Sequence, residues 1–173
     1  MTKFSRIVTV SCLFAMMSFA GPQLHAQVKD TNKINASALK VEMIQSEEIT
    51  LPAAFQVAIY ESVIQQLKKQ ADFLHVYRDG DNNAANVPGL VIFHSTVIGF
   101  KQGSEDKRRV TTFAGVTSIT IHCQFIDNQG KVLLGQDVNG NVRFFGDNLK
   151  ATYDFAKKAA AVVSENFSAV GRS

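Results

Sequence analysis

The chain has little cysteine and no tryptophan. Its two cysteines among 173 residues are Cys12 and Cys123. Because Cys12 lies in an apolar leader, the remainder keeps a single thiol and can form no internal disulfide. Without Trp, the core must be built from Ile, Leu, Val and Phe. A disulfide-stapled scaffold is therefore excluded.

The chain also lacks a surplus of charge once its leader is set aside. Of the 18 Lys and Arg residues, Lys3 and Arg6 lie in the first 26 residues, so 16 basic side chains face 15 acidic ones in the remainder. Proteins that neutralise nucleic-acid phosphates or anionic membranes need a basic excess. The near balance argues against a general nucleic-acid or anionic-membrane binder.

Motifs for catalysis, metals or nucleotides are missing as well. His75, His94 and His122 are widely separated and show none of the spacings that are typical of zinc sites. His122 adjoins Cys123, but neighbouring residues of a strand project to opposite faces, so they cannot act directly as base and nucleophile. We therefore expect no enzyme activity, no metal and no cofactor, and a small hydrolase with dispersed catalytic groups is the minor alternative.

The first 26 residues have the layout of an export signal. A cationic start precedes the apolar run 7–20, Gly21-Pro22 breaks it, and Leu24-His25-Ala26 offers a small-residue cleavage site. The run is shorter than the roughly 20 residues that a membrane span needs. Cys12 lies too near the start of the run for a lipid anchor. The sequence predicts an exported, periplasmic or secreted, soluble protein without an integral membrane span.

Periodicity and turn residues divide the remainder into elements. Residues 27–37 are polar and predict a flexible mature N-terminus. Alternating or β-branched runs predict strands, and apolar residues spaced by three and four predict helices. The predicted strands are 39–43, 73–77, 90–100, 117–126, 132–134 and 142–145, with a turn or bulge at Asn139-Gly140. Two helices are predicted: the first begins after Thr50-Leu51-Pro52, and the second runs from about residue 149 to 167.

These elements predict an α+β fold. We expect a single domain over residues 38–173, with a mostly antiparallel sheet of four to six strands and two helices packed on one face, in the order β-α-β-β-β-β-α. Within the strand 117–126, Cys123 shares the inward face with Ile119, Ile121 and Phe125, which predicts a buried structural thiol.

One charged run interrupts the predicted hairpin between residues 90 and 126. Lys107, Arg108 and Arg109 are candidates for contact with an acidic partner, although the adjacent Glu105 and Asp106 partly cancel their field. A solvated turn is the alternative interpretation of the same residues.

The order of several motifs resembles a known family. They are Leu51-Pro52-Ala53-Ala54-Phe55, Gln66-Leu67-Lys68-Lys69, Gly99-Phe100-Lys101-Gln102-Gly103, Arg108-Arg109, Phe125 to Leu133 and the Ala-rich last helix. Over about residues 38–165 the chain resembles the bacterial family catalogued as domain of unknown function 4410. The resemblance implies an exported envelope protein of unassigned activity, with a layout similar to small modules of envelope assembly proteins.

These observations lead to two functional hypotheses. The first is a non-enzymatic envelope module that binds an envelope protein or itself, through a sheet edge or the segment 104–115. The alternative is a binder of a small apolar or lipid-like ligand, held in space beneath the Ala-rich helix.

Overall fold

The structure is a computed structural model that describes residues 33–71, 75–111, 114–143 and 146–170. These residues belong to one compact unit of the chain. The predicted export signal, residues 1–26, lies outside the described residues, as does most of the segment 27–37.

The described elements are seven strands, three α-helices and a short 3₁₀ helix at Asn82–Ala84. The strands are β1 (Ile34–Ala36), β2 (Ala38–Val41), β3 (His75–Arg78), β4 (Leu90–Lys101), β5 (Thr117–Asp127), β6 (Val132–Val142) and β7 (Phe167–Ala169); the helices are α1 (Ala53–Gln70), α2 (Glu105–Val110) and α3 (Lys150–Asn166). Five strands form one sheet in the order β3-β2-β4-β5-β6, and β1 pairs with β7. The predicted α+β class is confirmed.

The main sheet is mixed, whereas the sequence predicts a mostly antiparallel one. β4, β5 and β6 are antiparallel neighbours, but β2 runs parallel to both β3 and β4. α1 accounts for the direction of β3, because a strand that is followed by a helical crossover returns to the sheet in the same direction. Residues 79–89 then carry the chain past β2, so that β4 also runs parallel to it.

Three residues of the polar N-terminal segment form a strand that its composition does not predict. Within 27–37, where a flexible chain is expected, Ile34–Ala36 forms β1 in parallel register with β7. Ala36 is fully buried, and the hydroxyl of Ser168 donates to the side-chain oxygen of Asn35 at 2.9 Å. This pairing joins positions more than 130 residues apart, so no local pattern could reveal it.

The central strands follow their predicted alternation. Ile119, Ile121, Cys123 and Phe125 of β5 are all at most 1% exposed. The ring of Phe125 contacts those of Phe93 and Phe167 at centroid distances of 5.0 and 5.1 Å. The inward placement of Cys123 is confirmed, and the core lies between this sheet face and the helices.

Both long helices cover that face. α1 buries the predicted residues Phe55, Ile59, Val63 and Leu67. α3 packs on α1, β5 and β6, and it buries a side that is rich in alanine: Ala151, Ala156, Ala159 and Ala160.

The alanines bring α3 close to the sheet instead of leaving space below it. An added Cβ at Gly140 of β6 would lie 2.2 Å from the carbonyl oxygen of Ala151 and 2.6 Å from the Cβ of Phe155. Only glycine permits this approach, so backbone and helix fill the volume there. The predicted ligand space does not exist at this point of the interface.

Two further predictions need correction. Asn139-Gly140 does not form a turn, since β6 runs without interruption from Val132 to Val142. The run expected to be a solvated turn contains α2, because Ser104 caps it by accepting from the backbone N–H of Lys107. Among the described helices, none is both long and apolar enough to cross a membrane.

Candidate functional site

The sheet has two edges of different character. β3 contributes four residues, and its last residue, Arg78, donates to both carboxylate oxygens of Glu61 on α1 at 2.7 and 2.8 Å. β6 is 11 residues long and has no neighbour on its outer side among the described strands. A long edge strand is a template for a further strand, so β6 is the edge suited to a partner strand.

The backbone groups of β6 alternate between the sheet and the outside. From Leu134 to Val142 the register with β5 is unbroken. In an antiparallel ladder, the N–H and C=O of one residue point to the same side, and successive residues point to opposite sides. Asn139 and Asn141 bond outward, as described below, so Gly135 and Asp137 must also direct their backbone groups away from β5.

The second half of this edge is closed by α3. The carboxylate of Asp154 accepts from the backbone N–H of Asn141 at 2.9 Å, and the ammonium group of Lys158 donates to the carbonyl oxygen of Asn139 at 2.9 Å. Asp154 and Lys158 also form an ion pair at 2.6 Å. These two side chains occupy the positions that a partner strand would take.

The first half of the edge is open. We call residues 132–137 the open edge. Within the described part of the chain, no hydrogen bond reaches the outward backbone groups of Gly135 or Asp137. Val132, at the start of the open edge, is an apolar side chain that remains 50% exposed. Unpaired backbone groups beside exposed apolar surface are the features of a strand-pairing site.

The three predicted basic contact residues differ in exposure: two are exposed and one is buried. Lys107 and Arg109 are exposed on α2, and Arg109 donates to Glu105 at 3.0 Å. Arg108, between them, is only 3% exposed. Its burial removes Arg108 from the contact surface, while contact by Lys107 and Arg109 stays a prediction.

Arg108 instead joins the loops at one end of the sheet. Its guanidinium donates to the carbonyl oxygens of Gly115 at 2.6 Å and Gly146 at 2.8 Å, and to the hydroxyl oxygen of Thr117 at 3.3 Å. The described residues place no carboxylate against it, and its Nε has no partner. A buried cation that is paired with neutral acceptors keeps its charge uncompensated.

Thr117 extends this network. Its hydroxyl accepts from the backbone N–H of Gly103 at 3.0 Å and donates to the side-chain oxygen of Asn148 at 2.6 Å. The network therefore fixes the end of β4, the start of β5 and the start of α3 relative to one another. The loops at this end have a defined shape.

The face of the sheet opposite the helices carries two histidines. The Nδ1 atom of His94 lies 3.0 Å from the Glu42 carboxylate, and that of His122 lies 2.6 Å from the Asp137 carboxylate. In register, His94 and His122 are diagonal neighbours on β4 and β5. Their carboxylates hold them toward opposite flanks of the sheet. In the described part of the chain, no three His, Cys, Asp or Glu side chains group as metal ligands.

The thiol of Cys123 is buried and unreactive. Burial raises the pKa of Cys123 to about 12, and the charge of Asp137 adds to the effect. The thiolate, which is the nucleophilic form, is therefore scarce at neutral pH. This agrees with the structural role that the alternation predicts.

Sequence reasoning missed both the open edge and the burial of Arg108. The strand 132–134 was predicted, but which strand lies at the edge depends on the whole sheet order. For Arg108, the flanking residues Gly103 and Gly115 were the available signal. An added Cβ on Gly103 would lie 2.0 Å from the carbonyl oxygen of Gly115, so the two loops touch by their backbones.

Comparisons with known proteins identify the fold. No family model and no curated protein matches the chain, so membership of the family that it resembles stays a prediction. Among solved structures, the chain is similar to the PelC dodecamer from Paraburkholderia phytofirmans, with 11% identity, a TM-score of 0.56 and coverage of 77% of this chain and 89% of that chain. A hypothetical protein from Chlamydia trachomatis matches with 10% identity, a TM-score of 0.51 and coverage of 75% and 97%.

Proposed function

We propose that the protein is an exported, non-enzymatic assembly module that associates with further copies of itself through the open edge. The observation that carries this proposal is the division of β6. Asp154 and Lys158 close one half of the edge, whereas Gly135 and Asp137 present unpaired backbone groups in the other half. An edge that is blocked only in part directs a partner strand to one register.

Export and a non-enzymatic role are supported by the residues. The leader has the layout of a cleaved signal, and an exported chain meets its partners in the envelope or outside the cell. The thiol of Cys123 is buried and its pKa is raised, so it offers no activated nucleophile.

A second copy is the occupant that the edge favours. If two open edges pair antiparallel about a twofold axis with Gly135 opposite its own copy, Asp137 lies opposite Leu133, and the two carboxylates stay apart. The glycine adds no side chain at the centre of this contact. PelC, a protein of similar fold, was solved as a dodecamer, which supports self-association over a different partner.

The test removes one outward N–H without altering the inner ladder. We would replace Gly135→Pro, since proline lacks the donor and is tolerated on a free strand edge. Gly135→Ala is the matched control: it keeps the N–H, and its Cβ meets nothing closer than 4.0 Å. Both variants are exported with the native leader, purified and sized by light scattering over a range of concentrations, with circular dichroism to verify the fold.

The proposal predicts that the native protein and Gly135→Ala form the same oligomer and that Gly135→Pro dissociates while remaining folded. A native protein that stays monomeric at about 100 μM, well above the affinity of a stable assembly, would refute self-association. An oligomer unchanged in Gly135→Pro would show that another surface forms the contact. Crosslinking in the native envelope then distinguishes a second copy from a different envelope protein.

A further inference from the structure

A pocket lies beside the buried guanidinium, at the end of the sheet away from the open edge. It has a volume of about 500 Å³ and is lined by residues 101–104, 107 and 114–116. None of its lining residues is acidic, and two are lysines, Lys101 and Lys107. We call it the lysine pocket.

The two lysines of the pocket form no ion pair within the described part of the chain, although Glu105 and Asp106 lie next to Lys107 in sequence. No carboxylate there pairs with the ammonium group of Lys101 or Lys107. On α2, Glu105 forms its ion pair with Arg109 and not with Lys107.

Arg108 adds a third positive charge behind the wall of the pocket. Its guanidinium holds the carbonyl oxygen of Gly115, which is itself a lining residue, at 2.6 Å. Because the side chain is 3% exposed, water screens its charge poorly. Its Nε has no partner. Three cations around one concave surface, with one of them buried, create a positive potential that attracts anions.

The walls of the pocket are fixed in place before a ligand arrives. Gly115 has a φ of +82°, and a Cβ there would lie 2.3 Å from the carbonyl oxygen of Ser104. A Cβ at Gly103 would lie 2.0 Å from the carbonyl oxygen of Gly115, and the N–H of Gly103 donates to the hydroxyl oxygen of Thr117. A preformed concave site loses little entropy when it binds a ligand.

We propose that the lysine pocket binds a phosphate group, either of a small soluble phosphate ester or of a lipid headgroup. Lysine acts on phosphate as a point charge and needs no planar fork. The hydroxyl of Ser104, a lining residue, supplies a further donor. A phosphate of this kind would give the protein an attachment to a small metabolite or to an envelope lipid that is separate from its self-association.

The test compares two pairs of lysines that carry equal charge. The pocket variant is Lys101→Met with Lys107→Met, and the control is Lys68→Met with Lys69→Met at the exposed end of α1. The probes are inorganic phosphate, glycerol 3-phosphate, and vesicles of phosphatidylcholine with and without phosphatidylglycerol. Binding is measured by titration calorimetry and vesicle co-sedimentation at about 150 mM salt, where nonspecific attraction is screened. Thermal unfolding verifies the fold of each variant.

We expect the pocket variant to bind at least about tenfold more weakly than the native protein, and the control to bind as the native protein does. Binding of the soluble phosphates identifies a small ligand, and binding of phosphatidylglycerol vesicles alone identifies a headgroup. Equal losses in both variants would reduce the effect to general charge and overturn the proposal. The proposal also fails if the native protein binds none of the probes at millimolar concentration.

Discussion

The buried guanidinium of Arg108 permits a sharp prediction about stability. Arg108→Ala removes the donors that hold the carbonyl oxygens of Gly115 and Gly146, at 2.6 and 2.8 Å. Thr117 loses its contact at 3.3 Å but keeps its bonds to Gly103 and Asn148. The hydrogen-bond part of the cost therefore comes from two acceptors.

The magnitude follows from these two bonds. A hydrogen bond from a charged donor contributes about 1.5–3 kcal/mol. Gly115 and Gly146 are partly exposed, so water replaces some of the lost interaction and the lower end of that range applies. Removal of a desolvated charge returns part of the cost. We expect a net loss of about 2–3 kcal/mol in the free energy of unfolding, or roughly 4–12 °C in Tm for a domain of this length.

The adjacent residue provides the control. Arg109 has a side chain that is 64% exposed and forms one i,i+4 ion pair with Glu105 at 3.0 Å. Such surface pairs contribute about 0.3–0.5 kcal/mol. Urea unfolding of Arg108→Ala and Arg109→Ala, followed by circular dichroism, compares two identical truncations that differ only in environment.

The reasoning would be refuted if the two variants lost the same free energy, because Arg108 would then contribute no more than a surface side chain. An unchanged m-value in both variants verifies that the midpoints report stability and not a change in the unfolded state.

Three further predictions test the packing, the thiol and the closed half of the edge. Gly140→Ala should destabilise the fold by about 2 kcal/mol or more because α3 must move away from β6, whereas Gly135→Ala in the same strand should not; equal melting temperatures would contradict the close contact. Because the pKa of Cys123 is raised in the folded state, its contribution to stability is present below the ordinary thiol pKa and declines as pH rises toward about 12; Cys123→Ala should flatten that decline in urea titrations from pH 8 to 11, and identical profiles would count against it. Asp154→Ala with Lys158→Ala frees backbone groups of Asn141 and Asn139, so light scattering should detect larger assemblies than the native protein forms, and an unchanged mass would show that these side chains do not limit the edge.

Much of the local structure could be predicted from the sequence. The alternation in β5 placed Cys123 and Phe125 inside, and both are buried. The apolar stripe of α1 was also predicted, with Phe55, Ile59 and Val63 on the packed side. These features depend on side-chain periodicity within one element, which a single segment of sequence contains in full.

Pairings between distant segments were decided by the tertiary structure. β1 pairs with β7 in a segment that composition predicts to be flexible, and β2 runs parallel to its neighbours. The energy of such contacts depends on which segments meet, and a short polar strand carries too weak a pattern to specify its partner.

The candidate site also depends on contacts between distant segments of the chain. The sequence alone predicted the leader, together with the charge balance and single thiol that its removal leaves, and it determined the strand and helix faces, because each is a property of composition or of local period. Only the tertiary structure buried Arg108, whose partner Gly146 lies 38 residues away in sequence. Only the tertiary structure placed Asp154 and Lys158 over half of β6. A charged side chain is exposed or buried according to what folds over it, and an edge is open or closed according to what lies beside it.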